Sequence, residues 1–457
     1  MTLPLDVAIA ATGATLYEPE AAPAALRCST DTRTIASGDT FIALRGERFD
    51  GHEFTAEAAR RGAALLVVDA PDARVGGVAT MLVSDTKAAY MALAGAARAL
   101  FTGRVVGITG SAGKTTTKAF LAQLLALQYG DRVLATPENE NNEIGVSKLL
   151  LNARNEAHDV LLVEMGARHY GDVAALVAIA RPQLGILTNV GEAHLEIMGS
   201  RERLELTKWA LFERGARAVL NAGDEVCRRR ASELTRAPHW YGAAPIDHAG
   251  ERAALTFFAG EKRLVHRRDG VIIERDVELR LPGLHNRANA AAAVATGFEL
   301  GVPLDATIAE LPHLRLPHGR YDRIAAMSGV CLIYDAYNAN ASGMIAALDA
   351  FGSENASRRI AVLASMAELG EESKVLHERV GAHAARLVDV LLVQGEYAAE
   401  LARGAERGGL AERQIVHVGT NAQAARWLRE HARPDDVVLL KGSRKYKLEE
   451  IVEELRT

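Results

Sequence analysis

A glycine-rich segment carries the clearest chemistry in this sequence. Residues 107–118 read GITGSAGKTTTK and begin within the apolar run 105–108. Glycines let backbone N–H groups turn toward an anion, and a helix starting where the loop ends adds its dipole. Lys114 would place a charge at the outer phosphates, and Thr115 would place a hydroxyl on Mg²⁺. A strand before the segment and an amphipathic helix after it favour a nucleoside triphosphate site over a glycine-rich turn with a surface lysine.

This segment, here called the phosphate loop, departs from the usual pattern at one position. Ile108 stands where the first glycine is expected, so Gly107 and Gly110 provide the flexibility instead. The residues that we expect to hold the phosphates are Gly110, Ser111, Ala112, Gly113, Lys114, Thr115 and Thr116.

Two further side chains follow apolar runs that are typical of buried strands. Glu164 lies in the run 160–165, and His194 comes shortly after the run 184–190. In parallel α/β sheets the carboxyl ends of strands form the edge that binds ligands, so both are candidates for a site there. By themselves, such residues are more often solvated loop side chains. No zinc-protease helix is present, because neither His-Glu pair, 52–53 or 377–378, has the second histidine.

The surrounding elements predict an α/β protein. Apolar strands at 105–108, 160–165, 184–190 and 218–221 alternate with helical segments, which favours a mainly parallel sheet covered on both faces. Residues 254–281 instead alternate apolar and polar side chains and are broken by Gly260 and Asp269-Gly270, which indicates a small antiparallel insertion. A third block returns to alternating strands (359–364, 388–393, 415–418, 437–440) and helices.

The bulk properties exclude several classes of protein. The chain has 457 residues, which is too long for one core, and 49% of them are hydrophobic. A net charge of −5 gives no reason to expect nucleic acid as a partner. No apolar run approaches the roughly 20 residues of a membrane helix. A secretory signal begins with basic residues, but no Lys or Arg precedes Arg27. We therefore expect a cytoplasmic protein, bound to no membrane and monomeric.

Several uncommon strings resemble those of the Mur ligase family, in the same order along the chain. They are the phosphate loop, TPENENNEIG (136–145), DAYNAN (335–340) and KGSR (441–444), and the N-terminal DTR (31–33) and GERFDGH (46–52) are similar to the family's UDP-sugar-binding domain. TPENENNEIG, DAYNAN and KGSR resemble the member that adds D-alanyl-D-alanine. The resemblance implies three domains: a small α/β UDP-binding domain (1–102), a central P-loop domain with a mainly parallel sheet (103–317) and a C-terminal Rossmann-like domain (318–457).

The resemblance also implies a two-step reaction. ATP phosphorylates the terminal carboxylate of UDP-N-acetylmuramoyl-tripeptide, and the amine of D-alanyl-D-alanine then attacks the acyl phosphate to give the UDP-pentapeptide precursor of peptidoglycan. The cofactors implied are two Mg²⁺ ions, with Thr115, Glu164, His194 and Lys208 as their ligands. Lys208 aligns with a lysine that the family carbamylates, which turns a cation into an anion. Lys114, Lys208 and His194 are the catalytic candidates.

Other site residues are carried over from the same strings. Asn286, Arg320 and Asp335 resemble contacts to the nucleotide, of which Asn286 would lie on the adenine side. The residues implied in binding the UDP-linked substrate, the dipeptide or the peptide stem are Asp31, Thr32, Arg33, Thr136, Asn139, Asn141, Asn142, Asn338, Asn340, Lys441 and Ser443. The Asn-Ala-Asn segment at 338–340 could equally be a turn in which asparagine side chains imitate backbone hydrogen bonds.

The sequence departs from the family pattern at several positions, which leaves alternatives open. Ala210 stands two residues after Lys208, where the family has an acid, so Lys208 could be an ordinary helix-surface lysine. Ser147 and Ala341 replace prolines, and the stretch 364–370 lacks the usual glycine and aspartate. Two other functions therefore remain: a relative that adds a single amino acid, or a P-loop switch or inactive paralogue.

Overall fold

The computed structural model describes residues 2–46, 49–192, 195–247 and 253–456. Its N-terminal part contains two sheets, in which β1 pairs with β3 and the others follow the order β2-β7-β6-β5-β4. The strands are β1 (Leu3–Pro4), β2 (Thr15–Tyr17), β3 (Ala25–Leu26), β4 (Cys28–Ser29), β5 (Thr40–Ile42), β6 (Leu65–Val68) and β7 (Ala79–Leu82). The helices are α1 (Leu5–Thr12), α2 (Thr55–Arg60) and α3 (Thr86–Leu100). Asp85 caps α3 by accepting from Ala88 N.

The central part is built on a sheet in the order β16-β15-β14-β13-β12-β11-β8-β10-β9. Its strands are β8 (Arg104–Thr109), β9 (Val133–Ala135), β10 (Val160–Glu164), β11 (Leu184–Leu187), β12 (Arg217–Asn221), β13 (His239–Gly242), β14 (Leu255–Phe258), β15 (Arg263–Arg268) and β16 (Val271–Asp276). The helices are α4 (Lys114–Tyr129), α5 (Glu143–Asn152), α6 (Asp172–Ala180), α7 (Leu195–Met198), α8 (Arg201–Trp209), α9 (Glu225–Arg230), α10 (Gly283–Glu299) and α11 (Leu304–Glu310).

The C-terminal part has its own sheet, ordered β17-β18-β22-β19-β20-β21. Its strands are β17 (Asp322–Ala325), β18 (Cys331–Tyr334), β19 (Arg358–Ala364), β20 (Val390–Gln394), β21 (Ile415–Val418) and β22 (Asp436–Lys441). The helices are α12 (Ala341–Gly352), α13 (Ser373–Ala384), α14 (Ala398–Arg407), α15 (Asn421–His431) and α16 (Glu449–Leu455). Only the edge strand β17 runs antiparallel to its neighbour in this sheet.

The apolar strands are covered on both faces, as their sequence predicts. Along β10, Leu161 and Val163 belong to one hydrophobic core, and Val160 and Leu162 belong to the core on the other face. Neighbouring strands β8, β10 and β11 pair in parallel. The mainly parallel α/β class is therefore confirmed, and among the described residues no helix has the length and apolar character needed to span a membrane.

The structure refines the predicted elements at two places. The run 184–190 leaves the sheet after Leu187, because the residues that follow turn to pack against the phosphate loop. The antiparallel strands predicted at 254–281 are present, but they are not a separate insertion. They extend the central sheet, since β14 pairs with β13 in parallel before β15 and β16 continue as antiparallel neighbours.

Candidate active site

A cavity of about 840 Å³ lies between the central and C-terminal sheets. Its walls come from the phosphate loop, from the residues after β10 and β11, from the start of α10 and from the residues around β18 and β22. The site residues predicted from sequence that line it are Ser111, Ala112, Gly113, Lys114, Thr115, Thr116, Asn139, Asn141, Glu164, Asn286, Arg320, Asp335, Asn338, Asn340, Lys441 and Ser443. Groups that are far apart in the chain thus meet at one surface.

The phosphate loop needs glycine at two positions for a steric reason. Gly113, which precedes α4, has φ +81°, and a Cβ there would lie 2.5 Å from Asn289 Oδ1. Gly110 has φ +149°, and a Cβ would lie 1.8 Å from Thr188 Oγ1. Both glycines therefore permit a backbone path that side chains would block.

The residues that follow β11 brace this loop. Asn189 accepts from Ala112 N at 3.0 Å with its Oδ1 and donates to Ala112 O at 3.1 Å with its Nδ2. Thr188 Oγ1 donates to the same carbonyl at 2.6 Å. Because Thr188 and Asn189 already hydrogen-bond its backbone, the phosphate loop keeps its conformation without a bound ligand.

Thr115 and Glu164 meet at the floor of the cavity. Thr115 Oγ1 donates to Glu164 Oε1 at 3.1 Å, and Asn141 Nδ2 donates to the same oxygen at 2.9 Å. Lys114 donates to Gly110 O at 2.8 Å. Burial lowers the pKa of Lys114, and the nearby Glu164 carboxylate partly opposes that shift. A hydroxyl and a carboxylate oxygen of this kind are ligands that suit Mg²⁺.

Lys208 is buried in the last turn of α8, with 2% of its surface exposed, and so it is not the ordinary surface lysine considered above. Among the described residues, no hydrogen bond or ion pair involves the side-chain amine of Lys208, although its backbone is bonded within α8. Burial lowers the pKa of Lys208 to about 7, and the neighbouring Lys114 ammonium contributes to that shift. Its amine is therefore neutral in a substantial fraction of molecules near neutral pH.

One predicted metal ligand cannot be placed, because His194 lies outside the described residues. Within the ranges that the structure describes, no three His, Cys, Asp or Glu side chains are grouped as a metal cluster. The case for a metal at this cavity thus depends on Glu164 with the hydroxyl of Thr115.

The C-terminal part contributes a buried ion pair to the opposite wall. Lys441 Nζ lies 2.9 Å from Asp335 Oδ2 and also donates to Asp335 O at 3.1 Å and Asn338 O at 3.4 Å. The ammonium is therefore used in holding the turn that follows β18. Arg320 lies over the ring of Tyr337, 4.5 Å from its centroid, and presents its charge to the cavity.

Asn340 makes a contact that its sequence context did not predict. Its Oδ1 accepts from Gly343 N at 2.8 Å and so caps α12, while its Nδ2 donates to Ser111 O at 3.4 Å. The turn interpretation of the Asn-Ala-Asn segment thus describes part of its role. The same side chain joins the C-terminal part directly to the phosphate loop.

Two groups at the start of α10 form the remaining wall. Asn286 donates to Pro282 O at 2.9 Å and lines the cavity. His285 Nδ1 is buried and has no hydrogen-bond partner in the described structure. Burial lowers the pKa of His285 to about 4, so the ring is neutral at physiological pH.

Some predicted site residues are not brought to this cavity. Asp31 and Arg33 bond to each other at 2.6 Å on an N-terminal loop that also carries Thr32, away from the cavity walls. Thr136 is 2% exposed and accepts from Glu164 N at 3.0 Å, and Asn142 caps α5 by accepting from Gly145 N. Thr136 and Asn142 are thus engaged in hydrogen bonds to the backbone and are not among the residues that line the cavity.

Sequence reasoning missed several residues of the site. Asn189 lies in the apolar run 184–190 and Lys118 in the phosphate loop. The local sequence does not show which polar side chains hold a neighbouring segment and which face solvent. Arg168 and Glu368 line the cavity from two different parts of the chain and form an ion pair of 2.6 Å. That pairing depends on how the parts pack, which no local pattern encodes.

Comparison with known domain families covers most of the chain. Residues 27–99 match the family described as "Mur ligase family, catalytic domain", 108–297 match "Mur ligase middle domain", and 319–444 match "Mur ligase, glutamate ligase domain". The UDP-N-acetylmuramoyl-tripeptide–D-alanyl-D-alanine ligase of Synechocystis sp. (strain ATCC 27184 / PCC 6803 / Kazusa) is 36% identical over 431 residues, which cover 93% of this chain and 91% of that protein. The chain belongs to the Mur ligase family.

Solved structures agree with this assignment of the Mur ligase. A crystal structure of MurF from Acinetobacter baumannii superimposes with a TM-score of 0.86 at 27% identity, covering 100% of this chain and 99% of that one. The structure of MurF ligase from Thermotoga maritima in complex with ADP gives a TM-score of 0.79 at 30% identity, covering 94% and 96% of the two chains. The three-part architecture is thus that of known Mur ligases, and the recognition made from sequence is confirmed.

Proposed function

We propose that this Mur ligase joins D-alanyl-D-alanine to UDP-N-acetylmuramoyl-tripeptide with cleavage of ATP to ADP and phosphate. The observation that carries the proposal is the cavity between the central and C-terminal sheets, which brings the phosphate loop together with Asp335, Asn338 and Lys441. Relatives named for this reaction cover more than nine-tenths of the chain.

In the first step, a carboxylate oxygen of the tripeptide attacks the γ-phosphorus and the bond to the β–γ bridging oxygen breaks, so ADP leaves. Backbone N–H groups of the phosphate loop and the ammonium of Lys114 hold the outer phosphates and offset their negative charge. Arg320, on the opposite wall, faces the same anions. We assign the neutral His285 and the amide of Asn286 to the base of the nucleotide, because both line the cavity.

In the second step, the amine nitrogen of D-alanyl-D-alanine attacks the carbonyl carbon of the acyl phosphate. The C–O bond to phosphate then breaks, and the proton lost from nitrogen is accounted for by the hydrogen phosphate that leaves. Asn338 and Ser443 supply polar groups for the dipeptide, and Asn139 and Asn141 supply them for the peptide stem. Enclosing the acyl phosphate between two parts of the chain excludes water that would hydrolyse it.

The residues present fit a divalent cation at the phosphate loop. Thr115 and Glu164 would hold Mg²⁺, and when bound the ion offsets charge on the phosphates. We propose a second ion near His194 and Lys208. The neutral fraction of the Lys208 amine is the form that reacts with CO₂, so burial of this side chain supports carbamylation despite Ala210.

The remaining assignments concern the chain as a whole. We propose domains at 1–102, 103–317 and 318–457, because each of these stretches contains sheets that share no described strand with the others. The Asp31–Arg33 loop would bind the UDP moiety in the first domain. We further propose a cytoplasmic monomer.

Phosphate release tests the proposal directly. The purified chain is given ATP and Mg²⁺, with the UDP-tripeptide and D-alanyl-D-alanine each omitted in turn, and Lys114→Ala serves as the inactive control. Release that needs both substrates, with the UDP-pentapeptide as product, would support the proposal. Release with a single amino acid in place of the dipeptide would reassign the substrate within the family. ATP binding without any ligation would indicate a switch or an inactive paralogue.

A further inference from the structure

Lys118 is a buried lysine of α4 that no part of the proposed mechanism uses. It lies one turn after Lys114, and only 6% of its surface is exposed. Burying an ammonium is costly unless oxygen atoms surround it, so the neighbours of Lys118 indicate why the charge is there.

Three oxygen atoms from two other segments surround the Lys118 ammonium. Nζ donates to Thr136 O at 2.6 Å and to Glu138 O at 3.1 Å, and both belong to the loop after β9. It also lies 3.0 Å from Glu164 Oε2, at the end of β10. One side chain on the phosphate-loop helix therefore joins two neighbouring segments of the site.

The two oxygens of Glu164 consequently have different surroundings. Oε1 accepts from Thr115 and Asn141 and faces the cavity. Oε2 is buried, and its close partner in the described structure is the ion pair with Lys118, without a directed hydrogen bond. Without that cation the carboxylate would carry an unpaired charge on its buried side and would be held only through Oε1.

Contacts near both ends hold the loop of residues 136–142, here called the Asn-rich loop. Lys118 fixes its beginning through two backbone carbonyls. Its end is fixed where Gly166 N donates to Asn141 O at 2.8 Å, a close approach that leaves no room for a Cβ at Gly166. Glu138, whose carbonyl is one of the two that Lys118 binds, has the uncommon φ of +27°. The loop that carries Asn139 and Asn141 into the cavity is thus held in one conformation.

We propose that Lys118 is a positioning residue, which orients the Glu164 carboxylate toward the metal and holds the Asn-rich loop against the phosphate loop. It touches neither phosphate nor the reacting atoms and acts through Glu164, Asn139 and Asn141. The inference rests on the proposed metal site, but not on the identity of the amino acid that is joined.

Nucleotide binding without organic substrates tests this role separately from ligase activity. ADP affinity is measured by calorimetry for the full chain with EDTA and with Mg²⁺. We expect Lys118→Met to bind ADP within about twofold of the wild type in EDTA. The gain in ADP affinity on adding Mg²⁺ should be about 10- to 100-fold smaller than in the wild type, which is the usual effect of changing a residue that supports metal ligands. Lys262→Met is the matched control, because Lys262 is exposed between β14 and β15, outside both the cavity walls and the Asn-rich loop.

Hydrogen exchange measures the second half of the proposal. We expect amides of the Asn-rich loop to exchange faster in Lys118→Met, while amides of the phosphate loop keep their wild-type rates. Lys118→Gln is made in parallel, since it keeps donors for the two carbonyls but carries no charge. Lys118→Gln should restore the protection of the loop amides more fully than it restores the effect of Mg²⁺ on ADP affinity.

Two results would overturn the proposal. One is an unchanged Mg²⁺ effect on ADP affinity together with unchanged exchange in Lys118→Met. The other is an equal loss of ADP affinity in EDTA and in Mg²⁺, which would mean that the residue only supports the fold. If the wild type binds Mg²⁺ and ADP as expected but joins no peptide, the proposed ligase function fails and the role of Lys118 stands.

Discussion

Arg168 and Glu368 form an ion pair of 2.6 Å between the loop after β10 and the loop after β19. Both residues line the cavity. Nearby, Arg201 pairs with Glu372 at 2.8 Å and Arg379 pairs with Glu192 at 3.0 Å. Three ion pairs thus join the C-terminal part to the central part.

Removing the Arg168–Glu368 pair should weaken closure only modestly. Arg168 is 64% exposed in its side chain, and solvent-exposed pairs contribute roughly 0.2–1 kcal/mol. We expect Glu368→Gln to lower kcat/KM up to about fivefold at low salt, with a smaller effect at high salt. The charge swap Arg168→Glu/Glu368→Arg should recover most of the loss. Glu233→Gln removes a surface pair away from the cavity and serves as the control; a swap no better than the single variants would contradict the expectation.

Asn340 should affect stability and ATP binding through two different atoms. Asn340→Ser keeps an oxygen that caps α12 but cannot reach Ser111 O, whereas Asn340→Ala loses both contacts. We expect the alanine variant to lose about 1 kcal/mol of stability and the serine variant to melt near the wild type. Both should show a raised KM for ATP.

A cap elsewhere separates these effects. Thr420 caps α15 by accepting from Gln423 N, far from the phosphate loop in the fold. Thr420→Ala should lower the melting temperature and leave the KM for ATP unchanged. If Asn340→Ser keeps the wild-type KM, its donor to Ser111 does not contribute to nucleotide binding.

Carbamylation of Lys208 should increase with pH, because its pKa determines how much of the amine is neutral. With a pKa of about 7, the amine is protonated below that pH and neutral above it. The neutral fraction rises from about one-tenth at pH 6 to about nine-tenths at pH 8. We expect added bicarbonate to raise activity of CO₂-depleted enzyme at pH 8 more than at pH 6.

Labelled bicarbonate makes the group visible. A ¹³C carbamate resonance should appear in the wild type and in Lys148→Met, and should be missing in Lys208→Met. If saturating bicarbonate gives no such resonance in the wild type, Lys208 acts as an amine.

A buried histidine of the central sheet should make the protein sensitive to acid. His266 Nδ1 lies 2.9 Å from Thr256 Oγ1, which in turn lies 2.8 Å from His239 Nε2, and His239 Nδ1 lies 3.1 Å from Glu299. Burial, with His239 and Arg268 nearby, lowers the pKa of His266 to about 4. Between pH 6.5 and 4 the unfolded chain binds a proton there that the folded chain does not, so stability falls as pH falls.

The size of that effect can be measured by thermal unfolding. The shift corresponds to at most about 3 kcal/mol across this window. We expect His266→Gln to lose less melting temperature between pH 6.5 and 4.5 than the wild type. His417→Gln, at an exposed position of β21, is the control and should lose as much melting temperature as the wild type. Parallel curves for His266→Gln and the wild type would show that another group controls acid stability.

Much of this protein could be predicted from local sequence. The phosphate loop is contiguous, and its function depends on a strand, a few glycines and a helix start that lie within about a dozen residues of each other, in line with the known motif. The apolar strands were predicted because burial on both faces requires an uninterrupted run of apolar side chains. Rare strings in order along the chain then indicated the family, which the comparisons confirmed.

Only the tertiary structure decided which polar side chains act together. Lys441 and Asp335 are 106 positions apart, and Asn340 and Ser111 are 229 apart. Neither the burial of Lys208 nor the contacts of Lys118 could be read from the sequence, since a helix sequence shows an apolar stripe but not how far a neighbouring segment covers it. Such pairings depend on the order of the strands and on the packing of one sheet against another, and these are set by the whole chain rather than by any window of it.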